Sequence, residues 1–249
     1  MKPGPMHHSH LMEKEGTIMT RALWRGLGAL VLSGAFLTLF AADATAQLDN
    51  VAITKHNLSV TSSGTDPTTG TSLVDYGEIC VYCHTPHGGQ TDAPLWNRNY
   101  SVAGYSMYSS STIDMTYTNP GNPTGISLAC LSCHDGTIGL DVIINPPNGG
   151  PAVPGTTPGT NTMPVGSFSL LDTDLRNDHP ISIQYNPSLD TKFNTAASVT
   201  GAGGLRLFGV NDEVQCASCH NPHESAAAFA PFLRKQNTAS ALCLTCHIK

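Results

Sequence analysis

The sequence predicts a chain that is mostly coil, with a few short helices and low regular secondary structure. Three observations lead to this prediction. The 249 residues include 24 glycines and 17 prolines, and only 12 % of them are charged. Residues 145–166 form a Pro/Gly-rich tract without usable periodicity. All eight cysteines fall in four copies of one short pattern. We therefore expect only a small aliphatic core.

The N-terminal segment has the composition of a targeting signal. Arg21 and Arg25 precede an uncharged apolar run at 26–42, and Ala44-Thr45-Ala46 fits a cleavage site. We assign 1–46 to an upstream extension and signal peptide, and 47–249 to the mature domain. An uncleaved membrane anchor is the alternative, although a run of about 17 residues is at the lower limit for spanning a bilayer. No later segment is long and apolar enough to span one.

The mature chain is acidic. From Gln47 onward it has eight basic and fifteen acidic residues, which gives a net charge of −7. A negative surface argues against nucleic acid and anionic lipid as partners.

The four cysteine motifs have the form C-x-x-C-H. Two thiols three positions apart can each add to a vinyl group of one porphyrin, and the adjacent histidine can bind the iron. The pattern therefore predicts four covalently bound c-type haems. The thioether cysteines are Cys80, Cys83, Cys130, Cys133, Cys216, Cys219, Cys243 and Cys246, and the proximal histidines are His84, His134, His220 and His247.

Three other uses of these cysteines explain the pattern less well. Two Cys₄ zinc sites would have no use for a histidine after every second cysteine. A redox dithiol needs one such pair rather than four. Disulfides within C-x-x-C would be strained, and they would leave the repetition unexplained.

The mature chain also supplies a second ligand for each iron. It has eight histidines, and the four outside the motifs are His56, His87, His179 and His223. Four bis-His haems need eight imidazoles, so the count favours these four as distal ligands. For any one of them, a packing or surface histidine is the alternative. Met107, Met115 and Met163 are the other candidate sixth ligands, and methionine would raise the potential.

Two of the distal candidates follow a proximal histidine by three residues, as His84-Thr85-Pro86-His87 and His220-Asn221-Pro222-His223. Three residues span at most about 10 Å, which is too short to reach around the porphyrin that the first histidine holds. Each is therefore expected to serve a different haem, and the proline keeps the link extended.

The remaining elements are short. Each motif is expected to open a short helix, and residues 128–131 and 239–244 have helix-compatible composition. Short β-like pieces are predicted at 141–144 and 179–185, and loops at 59–71 and 119–125. The fold class is thus a multihaem cytochrome c, with the chain wrapped around four stacked haems that supply the apolar interior.

Several phrases of the sequence resemble a known family. CHTPHGG (83–89), APLWNR (93–98), CLSCHDG (130–136), DHPISI (178–183), CASCHNPHE (216–224) and FLRKQNTASALCLTCH (232–247) are similar to the OmcE-type tetrahaem extracellular cytochromes that polymerise into nanowires. The resemblance implies bis-His ligation throughout and subunits stacked into a continuous haem chain. It also implies that one distal ligand can come from a neighbouring subunit, and His56, near the mature N-terminus, is the candidate.

The expected function is electron transfer by an exported protein, and not an enzyme activity. A subunit of an extracellular homopolymer is favoured, with other redox proteins or extracellular electron acceptors as further partners. A monomeric periplasmic electron shuttle is the alternative. A multihaem reductase would need an open iron position, and eight imidazoles for four irons leave none.

Overall fold

The structure is a computed structural model. It describes residues 51–59, 73–101, 104–117, 119, 121–150, 161–224 and 232–248, all within one compact unit, Leu48–Lys249. The predicted signal peptide, most of the 59–71 loop and the middle of the Pro/Gly tract lie outside these residues. Within them, no helix combines the length and the apolar character needed to cross a membrane.

Regular secondary structure is sparse, as predicted, and every motif carries a helical turn. The α-helices are α1 (Ile126–His134), α2 (Ala196–Thr200), α3 (Cys216–Cys219) and α4 (Cys243–Cys246). The 3₁₀ helices are Cys80–Tyr82, Pro147–Gly149, Leu175–Asn177 and Thr238–Ser240. The predicted helix at 239–244 is only partly present, because Ala239 has a φ of 52° and interrupts it.

The described residues contain one small antiparallel sheet. Its strands are β1 (Ile183–Gln184) and β2 (Glu213–Val214), with Ile183 opposite Val214. The prediction of a β-like piece at 179–185 is thus confirmed, although only two residues are in the strand.

The strand predicted at 141–144 is wrong, because its polar backbone groups are used elsewhere. The Val142 carbonyl accepts from the Arg98 guanidinium at 3.0 Å, and the Ile144 N–H donates to the Asn97 carbonyl at 2.8 Å. A neighbouring strand would need these same groups.

Among the described residues, the apolar core is divided into three small clusters, and each of them includes a motif cysteine. The first surrounds Tyr82 and includes Cys83. The second surrounds Leu140 and includes Cys133. The third surrounds Val199 and includes Cys246. The protein interior is therefore organised around the motifs rather than around one aliphatic centre.

Candidate haem-binding sites

Each motif places its histidine one helical turn after its first cysteine. The His84 N–H donates to the Cys80 carbonyl at 2.8 Å, and the corresponding bonds at 220 and 247 are 3.0 and 2.9 Å. In the 130–134 motif the same turn belongs to the longer helix α1. Cysteines three positions apart on a helical turn lie on one face. Both thiols can therefore reach one porphyrin edge.

Three histidines from outside the motifs lie beside motif histidines of the same chain. The ring centroids of His56 and His134 are 6.2 Å apart, those of His84 and His223 are 6.1 Å apart, and those of His179 and His247 are 6.4 Å apart. As the short His-x-x-His spacing predicts, His223 faces the histidine of another motif. Sequence spacing alone does not indicate which one.

These separations fit two imidazoles on one iron. Ring centroids in such a site are roughly 6.2 Å apart, since a metal–imidazole bond is about 2.0 Å and each centroid lies about 1.1 Å behind its nitrogen. The rings of His84 and His223 are nearly parallel, at 18°, whereas the other two pairs are inclined at 70° and 69°. The residues present at these three motifs therefore fit a six-coordinate haem.

Hydrogen bonds to the backbone orient three of these rings. Nδ1 of His84 lies 2.7 Å from the Pro94 carbonyl, Nδ1 of His134 lies 2.7 Å from the Ser169 carbonyl, and Nδ1 of His179 lies 2.9 Å from the Pro180 carbonyl. A carbonyl accepts only from a protonated nitrogen, so Nε2 keeps its lone pair. This is the tautomer that binds a metal through Nε2.

Burial also favours the neutral, ligating form of the histidines. Burial, and then the neighbouring His134, lower the pKa of His56 to about 4. Burial also lowers the pKa of His134 and, together with His84 and Arg234, that of His223. These imidazoles are uncharged at neutral pH, as iron ligation requires.

His56 lies beside a motif histidine of its own chain. Its ring is partly buried against His134 and against Phe232, whose ring centroid is 4.5 Å away. Its Nδ1 is buried without a hydrogen-bond partner. The structure therefore places His56 within its own chain.

His87 and His220 are both exposed. The backbone of His87 is held by its carbonyl, which accepts from Thr85 at 3.1 Å and from Asn145 at 3.0 Å. Its ring joins none of the ring pairs found among the described residues. His84 and His87 line one cleft of about 570 Å³ together with Cys80.

Neighbouring motifs approach each other through their cysteines, none of which forms a disulfide. The Cys130 and Cys216 thiols are hydrogen-bonded, which raises the pKa of Cys130 and lowers that of Cys216. Burial and then Cys133 raise the pKa of Cys83 to about 12. Burial and then Cys246 raise the pKa of Cys219 to about 11. The motifs thus adjoin one another in chain order.

A segment that sequence reasoning did not single out joins the first two motifs. We call Trp96, Asn97 and Arg98 the clamp. Trp96 packs edge-on against His84 at 5.7 Å and donates to the Ser132 hydroxyl at 3.2 Å. The Asn97 side chain donates to the Val81 carbonyl at 2.8 Å, and Arg98 binds carbonyls around the second motif. The signal available in the sequence was the phrase APLWNR.

Two of the three methionines proposed as alternative sixth ligands have packing contacts. Met163 is buried beside Leu140, and its sulfur accepts a hydrogen bond from Ser169 at 3.4 Å. Met115 packs against the Val199 cluster. The zinc alternative requires converging ligands, and the described residues contain no group of three His, Cys, Asp or Glu arranged to hold a metal ion.

The comparison with protein families gives a match to the family described as the doubled CXXCH motif, over residues 209–249. A search of curated proteins gives no match. The family match spans the third and fourth motifs, where α3 and α4 place the cysteine pairs. It indicates covalent binding of haem c, and therefore a multihaem c-type cytochrome.

Proposed function

We propose that the protein carries electrons through four c-type haems, one at each motif, each held by two histidines. The observation that carries the proposal is the set of three histidine pairs. Each pair joins a motif histidine to a histidine from elsewhere in the chain, at the separation that one iron requires. An iron with two imidazoles has no open position for a substrate, which favours electron transfer over catalysis.

The haem supplies the one-electron chemistry, and the chain's own residues hold and space the groups. His84 with His223, His134 with His56, and His247 with His179 would ligate the haems of the first, second and fourth motifs. His220 would be the proximal ligand at the third motif. The cysteine contacts between successive motifs support an electron path that follows their order in the chain.

Haem stoichiometry and spin state test this proposal. The mature chain is produced in a host that attaches haem c, and the haem content is measured as the pyridine haemochrome. We expect four haems per chain, with at least three of them low-spin in the ferric spectrum of a monomer and all four low-spin once copies of the chain have assembled. Fewer than four haems, or more than one high-spin haem per wild-type chain, would contradict the proposal.

We further propose that the protein is exported and assembles with copies of itself into a filament. The exposed ring of His87, on a backbone fixed by Thr85 and Asn145, supports a ligand donated to a haem of a neighbouring copy. The interchain role expected for His56 is the alternative. Negative-stain microscopy of the secreted protein tests it, since a regular filament supports the proposal and dispersed monomers support a periplasmic shuttle.

A further inference from the structure

Arg98 is a fully buried cation between the first two motifs. Its side chain has no exposed surface. One terminal nitrogen donates to the carbonyls of Leu140 (2.7 Å) and Val142 (3.0 Å), and the other donates to those of Ser132 (3.0 Å) and Gly139 (2.7 Å). Ser132 belongs to the second motif, and Asn97 next to Arg98 binds the first motif.

Four hydrogen bonds of Arg98 go to neutral backbone groups. Both terminal nitrogens donate to backbone carbonyls, and Nε is buried without a hydrogen-bond partner. Two buried carboxylates bind other groups, since Asp135 accepts from the Tyr105 hydroxyl at 2.6 Å and Asp141 accepts from the Val74 N–H at 3.1 Å. The guanidinium of an arginine carries a positive charge.

The hydrogen bonds of this segment place the charge of Arg98 beside both motifs. The Ser132 carbonyl that Arg98 binds lies between Cys130 and Cys133. The neighbouring Asn97 donates its backbone N–H to the Cys83 carbonyl at 2.8 Å and its side chain to the Val81 carbonyl at 2.8 Å. Both haem attachment points therefore adjoin the segment that carries the buried guanidinium.

We infer that Arg98 raises the reduction potentials of the haems at the first two motifs. A ferric bis-imidazole haem has one more positive charge than the ferrous form, so a fixed positive charge disfavours the oxidised state. The interaction is strong where the cation is removed from water, because the interior screens it weakly. The inference rests on the proposed haem binding.

Redox titration of the four-haem protein tests the inference, with the variants Arg98→Gln and Arg98→Lys. Arg98→Gln removes the charge, and we expect two of the four midpoints to move to lower potential while two stay unchanged. Arg98→Lys keeps the charge, and we expect its midpoints to remain close to those of the wild type. Equal shifts in both variants would show a structural role only and would overturn the inference, as would unchanged midpoints in Arg98→Gln.

Electron paramagnetic resonance identifies which haems move. Nearly parallel axial imidazole planes give a rhombic low-spin signal, and steeply inclined planes give a single low-field feature. The His84/His223 haem should therefore contribute a rhombic signal whose midpoint falls in Arg98→Gln. Of the two inclined pairs, the His56/His134 haem should shift and the His179/His247 haem should not.

Two further variants test the inference if the Arg98→Gln protein does not fold or does not incorporate haem. Asp141→Asn leaves the bonds of Arg98 in place and removes an opposing buried charge, so the same two midpoints should rise. No shift in Asp141→Asn would show that the haems do not sense charge in this core, which also overturns the inference. Arg176→Gln removes a positive charge from the screened surface, and it should leave all four midpoints unchanged. The haem content of the wild type separates this inference from the proposed function. A wild-type chain with fewer than four haems would refute the proposed function, whereas the midpoints of the variants test only the role of Arg98.

Discussion

His56 is the histidine about which the structure adds most to the sequence. Its place near the mature N-terminus suggests a reach towards another subunit, but the structure puts its ring 6.2 Å from His134. Burial lowers the pKa of His56 to about 4, which keeps the imidazole neutral. Neither the contact nor the burial can be read from the sequence, because His56 and His134 are far apart along the chain.

Replacing His56 should leave one iron five-coordinate and should not change the coordination of the other three. In His56→Ala the haem of the second motif loses its sixth ligand, so we expect about one quarter of the ferric haem to become high-spin. The optical and paramagnetic resonance spectra of the purified variant measure this fraction. Phe232→Leu is the matched control, since it alters the packing around His56 and keeps the ligand. Four low-spin haems in His56→Ala would rule out the pair.

Gly89 makes room for the clamp. A Cβ at this position would lie 2.7 Å from the Leu95 carbonyl carbon and 2.8 Å from the Trp96 carbonyl oxygen, and these backbone atoms cannot rotate away. We expect Gly89→Ala to lower the free energy of unfolding by about 1–3 kcal/mol. Denaturant unfolding of the haem-loaded protein measures the change.

Gly104→Ala serves as the control for this prediction, because a Cβ at position 104 meets no described atom within 4 Å. That variant should retain wild-type stability. Equal stability of Gly89→Ala and Gly104→Ala would show that the close approach to the clamp does not stabilise the fold.

The helices α1 and α3 are joined by a buried polar network rather than by apolar packing. The Ser127 hydroxyl donates to Oε1 of Gln215 at 2.5 Å and accepts from the Cys216 N–H at 3.0 Å. The Ser182 hydroxyl also donates to Oε1 of Gln215, at 3.2 Å. This network fixes the second motif against the third, where the Cys130 and Cys216 thiols meet.

Removal of the Ser127 hydroxyl should separate these two helices. Ser127→Ala leaves a buried N–H and a buried amide without their partner, at an expected cost of about 1–3 kcal/mol in unfolding free energy. Ser188 has an exposed hydroxyl that bonds only locally to Asn186, so Ser188→Ala is the control. A similar stability for both variants, measured by thermal unfolding of the haem-loaded protein, would contradict the role given to the network.

The elements that the sequence predicts correctly are those fixed by local chemistry. The C-x-x-C-H spacing indicates a helical turn at each motif, and the abundance of glycine and proline indicates coil between the motifs. The strand predicted at 141–144 failed because Arg98 and Asn97 use its backbone groups. The helix α2 was missed because it is five residues long and depends on a capping bond in which the Thr195 hydroxyl accepts from the Ser198 N–H.

Across the whole molecule, the sequence predicts the kind of site, but not which distal histidine pairs with which motif histidine. Counting histidines suggests eight ligands for four irons, and it leaves open which distal histidine serves which haem. The structure brings three pairs together through long-range contacts that no spacing encodes. The clamp and the Ser127 network then tie successive motifs together, so the same contacts that stabilise the fold also set the order of the motifs.

The proposed assembly depends on His87, whose exposed ring sits on a fixed backbone. If a haem of one copy takes His87 of the next as its ligand, His87→Ala should abolish filaments and yield monomers with one open iron. His87→Met supplies another iron ligand and should restore six-coordination, at a raised potential. Negative-stain microscopy and the spin state of each purified variant measure both effects. Filaments of wild-type repeat in His87→Ala would contradict the interchain role. A second result would also contradict it. If wild-type monomers have four six-coordinate irons and His87→Ala monomers have three, His87 binds a haem of its own chain.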